Sequence, residues 1–365
     1  MIVVELEVAV VGAGIIGLAA TDAIARRGVG VRCFDAAVPG QAQSGGLTRI
    51  FRHRHDDERL INLAVEARQG WQRWEERSGR RLLATHGVLF AGLDESDGAG
   101  LARQNVPYRV VDGQELPAAL GVVTPINAPV LVDELGGAIR ARRAVEILQS
   151  WVGDHLERAE VLGVACQPGG NGAWVQTGHG LYAARHVLVC AGAGTRRLAA
   201  GVGLDVPLSY ALHARPTFRL REGLREAALP CWVDHSGEHG EETYGSPVGS
   251  SGRYAVGLAG EDGSLPLGAG AELPPGADMD MYVRRVASYV IKAMPGLDPA
   301  AESVRLCMST HLPGQEDGFS TWQTDGVTVF AGHNLFKFAP VLGELLADAA
   351  LDGSVADVLT SVASG

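Results

Sequence analysis

Lysine is almost absent from this sequence. Only two of the 31 basic residues are lysines, Lys292 and Lys337, and the other 29 are arginines. A lysine in an apolar segment is costly unless it has a partner, and Lys337 lies between Phe336 and Phe338. We therefore expect a specific role for Lys337, although a lysine near a loop can also extend its ammonium group to solvent.

Cysteine is scarce too. The sequence has five, at Cys33, Cys166, Cys190, Cys231 and Cys307. Their number is odd and no C-x-x-C pair occurs, which predicts neither a disulfide framework nor a zinc site. A reducing cytoplasm is therefore the expected location. No apolar run is long enough to cross a bilayer, and the apolar N-terminus lacks the basic residues of a signal peptide.

Positive charge is in deficit. Acidic residues outnumber basic ones by 42 to 31, which gives a net charge of -11. This balance disfavours nucleic acid and acidic membranes as partners, because both would repel the protein. The 365 residues, 46% hydrophobic and 20% charged, are enough for two globular domains with a substantial core.

The N-terminal segment has the pattern of a dinucleotide-binding unit. An apolar run leads into Gly12-Ala13-Gly14-Ile15-Ile16-Gly17, a helical stretch follows, and a second apolar run ends in Asp35. The first glycine permits a sharp turn, the second lets backbone approach a pyrophosphate, and the third lets the helix lie close to the strands. The helix N-terminus attracts phosphates, and Asp35 is placed to accept hydrogen bonds from a ribose. A glycine-rich turn in an ordinary α/β protein is the alternative.

Two arginines stand in the apolar segment that follows. Arg49 and Arg52 are three residues apart, which predicts that they share one side of a helical turn. Their planar guanidinium groups suit a carboxylate or a phosphate. Surface arginines on a solvated helix are the alternative interpretation.

Helix and strand patterns alternate along the rest of the chain. Residues 58–79 and 132–151 predict helices, the second with Asp133 as N-cap. Residues 186–195 predict a buried strand that enters a glycine turn, strands dominate 206–299, and residues 341–351 predict a closing helix. Nucleotide-type elements at the start, middle and end thus enclose two β-rich insertions. This interleaving favours a flavoprotein over a nicotinamide-dependent dehydrogenase.

Five motifs occur in an order and spacing that are together fairly specific. They are the glycine turn with Asp35, the segment Thr48 to His53, Tyr244-Gly245-Ser246-Pro247, Cys307-Met308, and Phe336 to Pro340 before a glycine-containing helix. With them, nearly the whole chain resembles the sarcosine oxidase and N-methyltryptophan oxidase family, within the D-amino-acid-oxidase-like flavoproteins. The expected fold is α/β, with a Rossmann-like FAD-binding domain (1–83, 130–205 and 300–365) interleaved with a β-sheet-rich substrate domain (84–129 and 206–299).

The resemblance implies an FAD joined to the protein by a thioether from Cys307 to the flavin 8α-methyl group. A thiolate is the nucleophile that such a bond requires, although free cysteines are often inert core residues. The resemblance also implies that Arg52 and Lys337 hold the substrate carboxylate, that Arg49 lies near the flavin, and that Tyr244 lines the catalytic site. Further implied cofactor contacts come from Ile15, Ile16, Ser44, Thr48, Val164, Ala191, Gly192, Gly332 and Phe336.

The chain departs from the family at three places. Ala255 stands where the family has a lysine that activates oxygen, and Arg253 is predicted to be the only nearby cation. Ala259 and Ser309 stand where sarcosine oxidases have a histidine and an aromatic residue. Smaller side chains at these positions imply a pocket larger than one for sarcosine.

Three functions remain open at this point. The first is oxidation of a secondary or cyclic amino acid to an imine, with oxygen reduced to hydrogen peroxide. A monomer or small homo-oligomer that acts in secondary metabolism is expected in this case. The second is a flavin dehydrogenase or desaturase with another electron acceptor. The third is a flavin-binding subunit with little activity of its own.

Overall fold

The computed structural model describes residues 3–116, 121–170, 172–224, 229–314 and 317–359. The parts of the predicted domains at residues 1–2, 117–120, 171, 225–228, 315–316 and 360–365 lie outside the described residues. The strands, in chain order, are β1 (Val3–Val11), β2 (Val31–Asp35), β3 (Arg49–Phe51), β4 (Leu83–Ala84), β5 (Val88–Ala91), β6 (Tyr108–Asp112), β7 (Pro129–Asp133), β8 (Gly137–Ile139), β9 (Leu156–Arg158), β10 (Val161–Cys166), β11 (Ala173–Thr177), β12 (Leu181–Val189), β13 (Ser209–Leu220), β14 (Cys231–Asp234), β15 (Thr243–Pro247), β16 (Arg253–Leu258), β17 (Leu265–Pro266), β18 (Leu297–His311), β19 (Gly318–Thr324) and β20 (Val327–His333). The α-helices are α1 (Ile15–Arg26), α2 (Glu58–Ser78), α3 (Ala99–Arg103), α4 (Ala141–Val152), α5 (Thr195–Ala200), α6 (Met279–Ala293) and α7 (Ala339–Asp352).

The first sheet contains the predicted nucleotide-binding unit. Its strand order is β10-β11-β12-β1-β2-β9, and β20 pairs with β12 and carries β19. β1 is parallel to β2 and β12, with Val10 opposite Cys33 and Leu188. The apolar runs of β1 and β12 are explained by burial on both faces of a parallel sheet. Helices α1, α4 and α7 cover one of these faces.

The second sheet forms the β-rich part of the chain. Its order is β17-β13-β16-β15-β14-β5-β7-β6, and β18 pairs with β13. Helix α6 packs on it and buries Val286 and Tyr289 against Phe218 and Tyr254. Strand pairing places β7 and β18 in this sheet, whereas the predicted boundaries assigned 130–133 and 300–311 to the FAD-binding domain. Hydrogen bonds to distant strands decide membership of a sheet, and sequence proximity does not.

The predicted helix over 132–151 is wrong in its first half. Residues 132 and 133 end β7, and Asp133 is fully buried. Its carboxylate accepts a hydrogen bond from the backbone N–H of His53 at 2.6 Å and lies 3.0 Å from Nδ1 of the His53 ring. The chain then turns at residues 134 and 135, and Gly137 begins β8 at a position where a Cβ would lie 1.8 Å from the carbonyl oxygen of Ala84. Only from Ala141 onward does α4 form, so Asp133 supports a neighbouring strand instead of capping a helix.

The segment with the two arginines is extended. β3 pairs antiparallel with β8, and Ile50 lies opposite Ala138. The prediction that Arg49 and Arg52 share one side of a helical turn is therefore wrong. Side chains alternate along an extended chain, so residues three apart project in different directions.

All five cysteines are free thiols. Among the described residues, the structure contains no helix that is both long and apolar enough to span a membrane.

Candidate active site

The glycine turn after β1 has a shape that side chains would prevent. Gly12 has φ +101°, and a Cβ there would lie 2.4 Å from the carbonyl oxygen of Cys190. A Cβ at Gly17 would lie 1.9 Å from the carbonyl oxygen of Gly12. Only glycine fits either position. The turn therefore brings the end of β1 next to Ala191, which follows β12 and whose Cα would lie 2.9 Å from a Cβ at Gly12.

The start of α1 is open to a ligand. Gly14 precedes the helix without any capping side chain of its own. The Ser44 hydroxyl oxygen accepts a hydrogen bond from the Ile15 N–H at 2.9 Å, and it would lie 3.2 Å from a Cβ at Gly14. A helix N-terminus with so little covering side chain is a site for a phosphate group.

Asp35 lies beside the same turn. One carboxylate oxygen accepts a hydrogen bond from the Ala13 N–H at 2.7 Å, and the other accepts one from the Ala37 N–H at 2.9 Å. A carboxylate oxygen can accept more than one hydrogen bond, so capacity for ribose hydroxyl groups is left. The residues present fit the adenosine and pyrophosphate parts of a dinucleotide.

A cavity of about 400 Å³ opens next to this cradle. Its walls include Gly40 and Ser44 from the loop after β2, Gln149 from α4, and Arg305 from β18. The cavity therefore lies between the loop after β2, helix α4 and the side chain of Arg305, which belongs to the second sheet.

Cys307 lies on the face of the second sheet that continues from this cavity. In the antiparallel pair of β13 and β18, His213 is opposite Cys307 and Arg215 is opposite Arg305, and opposed residues project from the same face. Cys307 is near enough to Arg49 and to Tyr244 to contribute to the pKa of each of these two side chains. The predicted residues Cys307, Tyr244 and Arg49 are thus brought together, although up to 258 positions separate them in the sequence.

Arg49 is held by backbone carbonyl groups. It donates hydrogen bonds to the carbonyl oxygens of Thr48 (2.8 Å), Gln43 (3.0 Å) and Gly45, and its guanidinium carbon lies 5.6 Å from the centre of the Phe336 ring. Burial, followed by the charge of Arg215, lowers the pKa of Arg49 to about 10.

Arg215 is a site residue that the sequence interpretation missed. It is only 7% exposed, and it donates to the Thr48 carbonyl oxygen (2.9 Å) and to the Ser246 hydroxyl (3.0 Å). Its Nε is buried without a hydrogen-bond partner. The only signal was an arginine at a position of β13 that has buried apolar neighbours, Ala214 and Phe218. Arg253, which was predicted to be the nearby cation, instead pairs with Glu302 at the surface.

The Arg49 and Arg215 pair carries positive charge without a balancing acid. Within the described part of the chain, neither guanidinium group forms an ion pair with a carboxylate. Ser246 lies directly opposite Ala255 in the pair of β15 and β16. The Arg215 guanidinium group, which hydrogen-bonds Ser246, therefore lies close to Ala255, the position at which this chain has no lysine.

Lys337 and Arg52 meet in a second cluster. Lys337 is 4% exposed, and its ammonium group donates to the Asn334 carbonyl oxygen at 3.0 Å. Burial lowers the pKa of Lys337 to about 8, although Asp317 counteracts this effect. Arg52 and Lys337 both contact one carboxylate oxygen of Asp317, at 2.5 and 3.5 Å. The structure thus brings the predicted pair together, and Asp317 is a member that the sequence interpretation missed.

Histidines connect the two clusters. The Ser309 hydroxyl lies 3.0 Å from His213 Nε2 and 2.7 Å from His311 Nε2, and the His311 ring stacks on His333 at 4.1 Å. Burial, together with the charges of His311 and Lys337, lowers the pKa of His333 to about 3. His333 is therefore neutral at pH 7, and these rings line the space between Cys307 and Lys337.

The remaining predicted cofactor residues lie in different surroundings. Gly192 has φ +55° and contacts Gln43, beside the glycine turn, and Phe336 stacks on Trp71. A Cβ at Gly332 would lie 2.3 Å from the Gly318 carbonyl oxygen, so packing against β19 already requires glycine there. Val164 lies on β10, with its side chain in the hydrophobic core.

Known proteins share this architecture. The family profile described as DAO, FAD dependent oxidoreductase, matches residues 7–349. Monomeric sarcosine oxidase from Streptomyces avermitilis is 26% identical, over 96% of this chain and 94% of that protein. N-methyl-L-tryptophan oxidase from Salmonella arizonae is 24% identical, over 95% of each.

Solved structures show the same fold. NikD, an unusual amino acid oxidase essential for nikkomycin biosynthesis, superimposes with a TM-score of 0.86 at 22% identity, over 98% of this chain and 97% of that chain. L-proline dehydrogenase from P. horikoshii superimposes with a TM-score of 0.80 at 18% identity, over 97% and 95%. Both cover nearly the whole chain.

Proposed function

The chain belongs to the DAO family of FAD-dependent oxidoreductases, and on that premise we propose that it oxidises the C–N bond of a secondary or cyclic amino acid to an imine, with oxygen reduced to hydrogen peroxide. The observation that carries this proposal is that the buried Lys337 and Arg52 converge on one carboxylate oxygen of Asp317. A carboxylate that enters a partly dry pocket must meet positive charge and hydrogen-bond donors, and this pair supplies both.

The chain's own residues bind and orient the reactants. The turn from Gly12 to Gly17 and Asp35 would hold the adenosine and pyrophosphate part of FAD, and Cys307 would be the residue that holds the flavin through a thioether at its 8α-methyl group. Bound FAD supplies the two-electron acceptor and the means of passing electrons to oxygen. The substrate amine would lose a hydride from carbon to that acceptor and a proton from nitrogen to water, which leaves the imine, while Arg52 and Lys337 fix its carboxylate.

Positive charge next to the reacting centre comes from Arg49 and Arg215. Cations in a buried site stabilise negative charge that builds up during electron transfer. Arg215 supports the oxidase hypothesis over a dehydrogenase, because it supplies a cation beside Ala255. The small residues Ala255, Ala259 and Ser309 support a substrate larger than sarcosine, as in secondary metabolism.

A substrate screen tests the proposal. Purified holoenzyme is mixed without oxygen with N-methyl and cyclic amino acids, and loss of the visible flavin absorbance is recorded; air is then admitted and hydrogen peroxide is measured. We expect bleaching with at least one amino acid and one peroxide per flavin reoxidised. Bleaching without peroxide would identify a dehydrogenase, and no bleaching by any amine would favour a subunit without activity of its own.

A further inference from the structure

The proposed carboxylate clamp already contains a carboxylate. The side chain of Asp317, just before β19, is 11% exposed. One of its oxygens lies 2.5 Å from Arg52 Nη2, 3.0 Å from His55 Nδ1 and 3.5 Å from Lys337 Nζ. Its other oxygen accepts a hydrogen bond from the Asn334 side-chain amide. Asp317 thus uses the same two cations that the substrate would need.

The charges of the cluster leave room for one more anion. Burial lowers the pKa of His55 to about 3, so His55 is neutral at pH 7. Lys337, Arg52 and His55 hold the pKa of Asp317 well below its usual range, so that carboxylate is ionised. Two cations and one anion leave a single net positive charge.

The donors are shared as well as the charge. An ammonium group has three N–H bonds, and the acceptors that the described chain offers to Lys337 are the Asn334 carbonyl oxygen and the Asp317 carboxylate. Arg52 directs Nη2 at Asp317. A substrate carboxylate must therefore share these hydrogen-bond donors with Asp317 or displace the Asp317 side chain from them. Two carboxylates in one site also repel each other.

We propose that Asp317 is a specificity-determining residue, whose carboxylate competes with ligand carboxylates for Arg52 and Lys337. Competition weakens the binding of a plain carboxylate, because such a ligand gains the cations only at the expense of the internal anion. A substrate that also carries an amine N–H recovers part of the lost binding free energy, since Asp317 can accept a hydrogen bond from that N–H. Asp317 thereby selects amino acids over carboxylic acids. This inference rests on the carboxylate clamp of the proposed function.

The test is the affinity of the holoenzyme for benzoate, a carboxylate without an amine. Binding is followed by calorimetry and by the perturbation of the flavin spectrum at constant pH. We expect Asp317→Asn, which keeps the size of the side chain, to lower the Kd for benzoate tenfold or more. Asp325→Asn is the matched control, because Asp325 is exposed in the turn between β19 and β20. This substitution removes the same charge and should leave the Kd for benzoate unchanged.

The alternative role of Asp317 predicts the opposite result. If Asp317 serves only to hold Arg52 and Lys337 in position, Asp317→Asn would bind benzoate as weakly as the wild type or more weakly, and the proposal would be overturned. Asp317→Ala, which removes the charge and all hydrogen bonds, provides a second measurement should the asparagine variant fail to fold. Detectable binding only in an Asp317 variant supports the proposal, and no binding in any variant overturns it.

Failure of this inference can be told apart from failure of the proposed function. If Arg52→Met and Lys337→Met weaken benzoate binding while Asp317→Asn does not strengthen it, the clamp stands and the competition does not. If Arg52→Met, Lys337→Met and Asp317→Asn all leave the Kd of the wild type unchanged, the clamp itself is wrong.

Discussion

Arg49 and Arg215 donate hydrogen bonds to the same acceptor, the backbone carbonyl oxygen of Thr48, at 2.8 and 2.9 Å. This shared acceptor holds two like charges close together, one from β3 and one from β13 of the second sheet. No carboxylate of the described residues neutralises them, so an anion that forms nearby gains their full attraction.

Removal of Arg215 should therefore reduce the stabilisation of an anion that forms on the cofactor. We expect Arg215→Met to raise the Kd for sulfite, which adds to oxidised flavin as an anion, by about tenfold or more, equivalent to about 1.4 kcal/mol. This Kd is measured from the loss of flavin absorbance during a sulfite titration. Arg215→Lys keeps the charge and should bind sulfite more nearly as the wild type does. Arg253→Met is the control, since Arg253 pairs with Glu302 at the surface. Equal sulfite affinity in Arg215→Met and the wild type would show that Arg215 does not act on the cofactor.

The covalent attachment of FAD to Cys307 can be tested without any substrate. Acid-precipitated wild-type protein should stay yellow, because a thioether survives denaturation, whereas Cys307→Ser should release the colour into the supernatant. Cys166→Ser is the control, because Cys166 is exposed on β10. A colourless pellet from the wild type would show that the cofactor is not covalently bound.

The binding of carboxylates should depend on pH through Lys337. Burial lowers the pKa of Lys337 from 10.5 to about 8, so its ammonium group is charged below that pH and loses its proton above it. The Kd for benzoate should therefore rise as the pH increases through about 8, and benzoate, already ionised, contributes no titration of its own in this range. Lys337→Met should bind at least about tenfold more weakly and lose this pH dependence; a wild-type Kd that is constant through the same range would contradict the role of Lys337.

Gly17 should be required for the cofactor cradle. Its Cβ would lie 1.9 Å from a backbone oxygen, so Gly17→Ala must displace the turn or α1, and we expect loss of bound FAD and a lower melting temperature. Gly28→Ala is the matched control: Gly28 has φ +76° with open space around its Cβ position, so the variant should lose about 1–2 kcal/mol of stability but keep FAD. Full FAD content in Gly17→Ala would contradict the proposed cradle.

Local patterns predicted the nucleotide-binding unit but not the elements around it. The glycine turn, α1 and Asp35 follow one another between residues 12 and 35, and each has a chemical reason that the residues themselves display. Residues 132–151 misled the prediction because the apolar spacing of α4 extends back through Ile139 of β8 to Leu135 in the turn before it. The difference depends on Asp133, whose partner His53 lies 80 residues away.

The candidate site shows the same division. Lys337 was predicted because a buried lysine is conspicuous in a chain that has two, and Cys307 because its motif resembles a known family. Arg215 was missed because one arginine in a strand of a chain with 29 carries no signal of its own. Its importance appears only when strand register places it beside Ser246 and Ala255.

The sequence by itself therefore determined the cofactor class, the glycine turn and the cationic residue at 337, because backbone conformation and the cost of burying charge act within short segments. Only the tertiary structure decided that Arg49 belongs with Arg215 and that Asp317 lies between Arg52 and Lys337. Arg52 and Asp317 are 265 residues apart, and the pairing of β-strands, which a linear pattern does not record, brings them within contact.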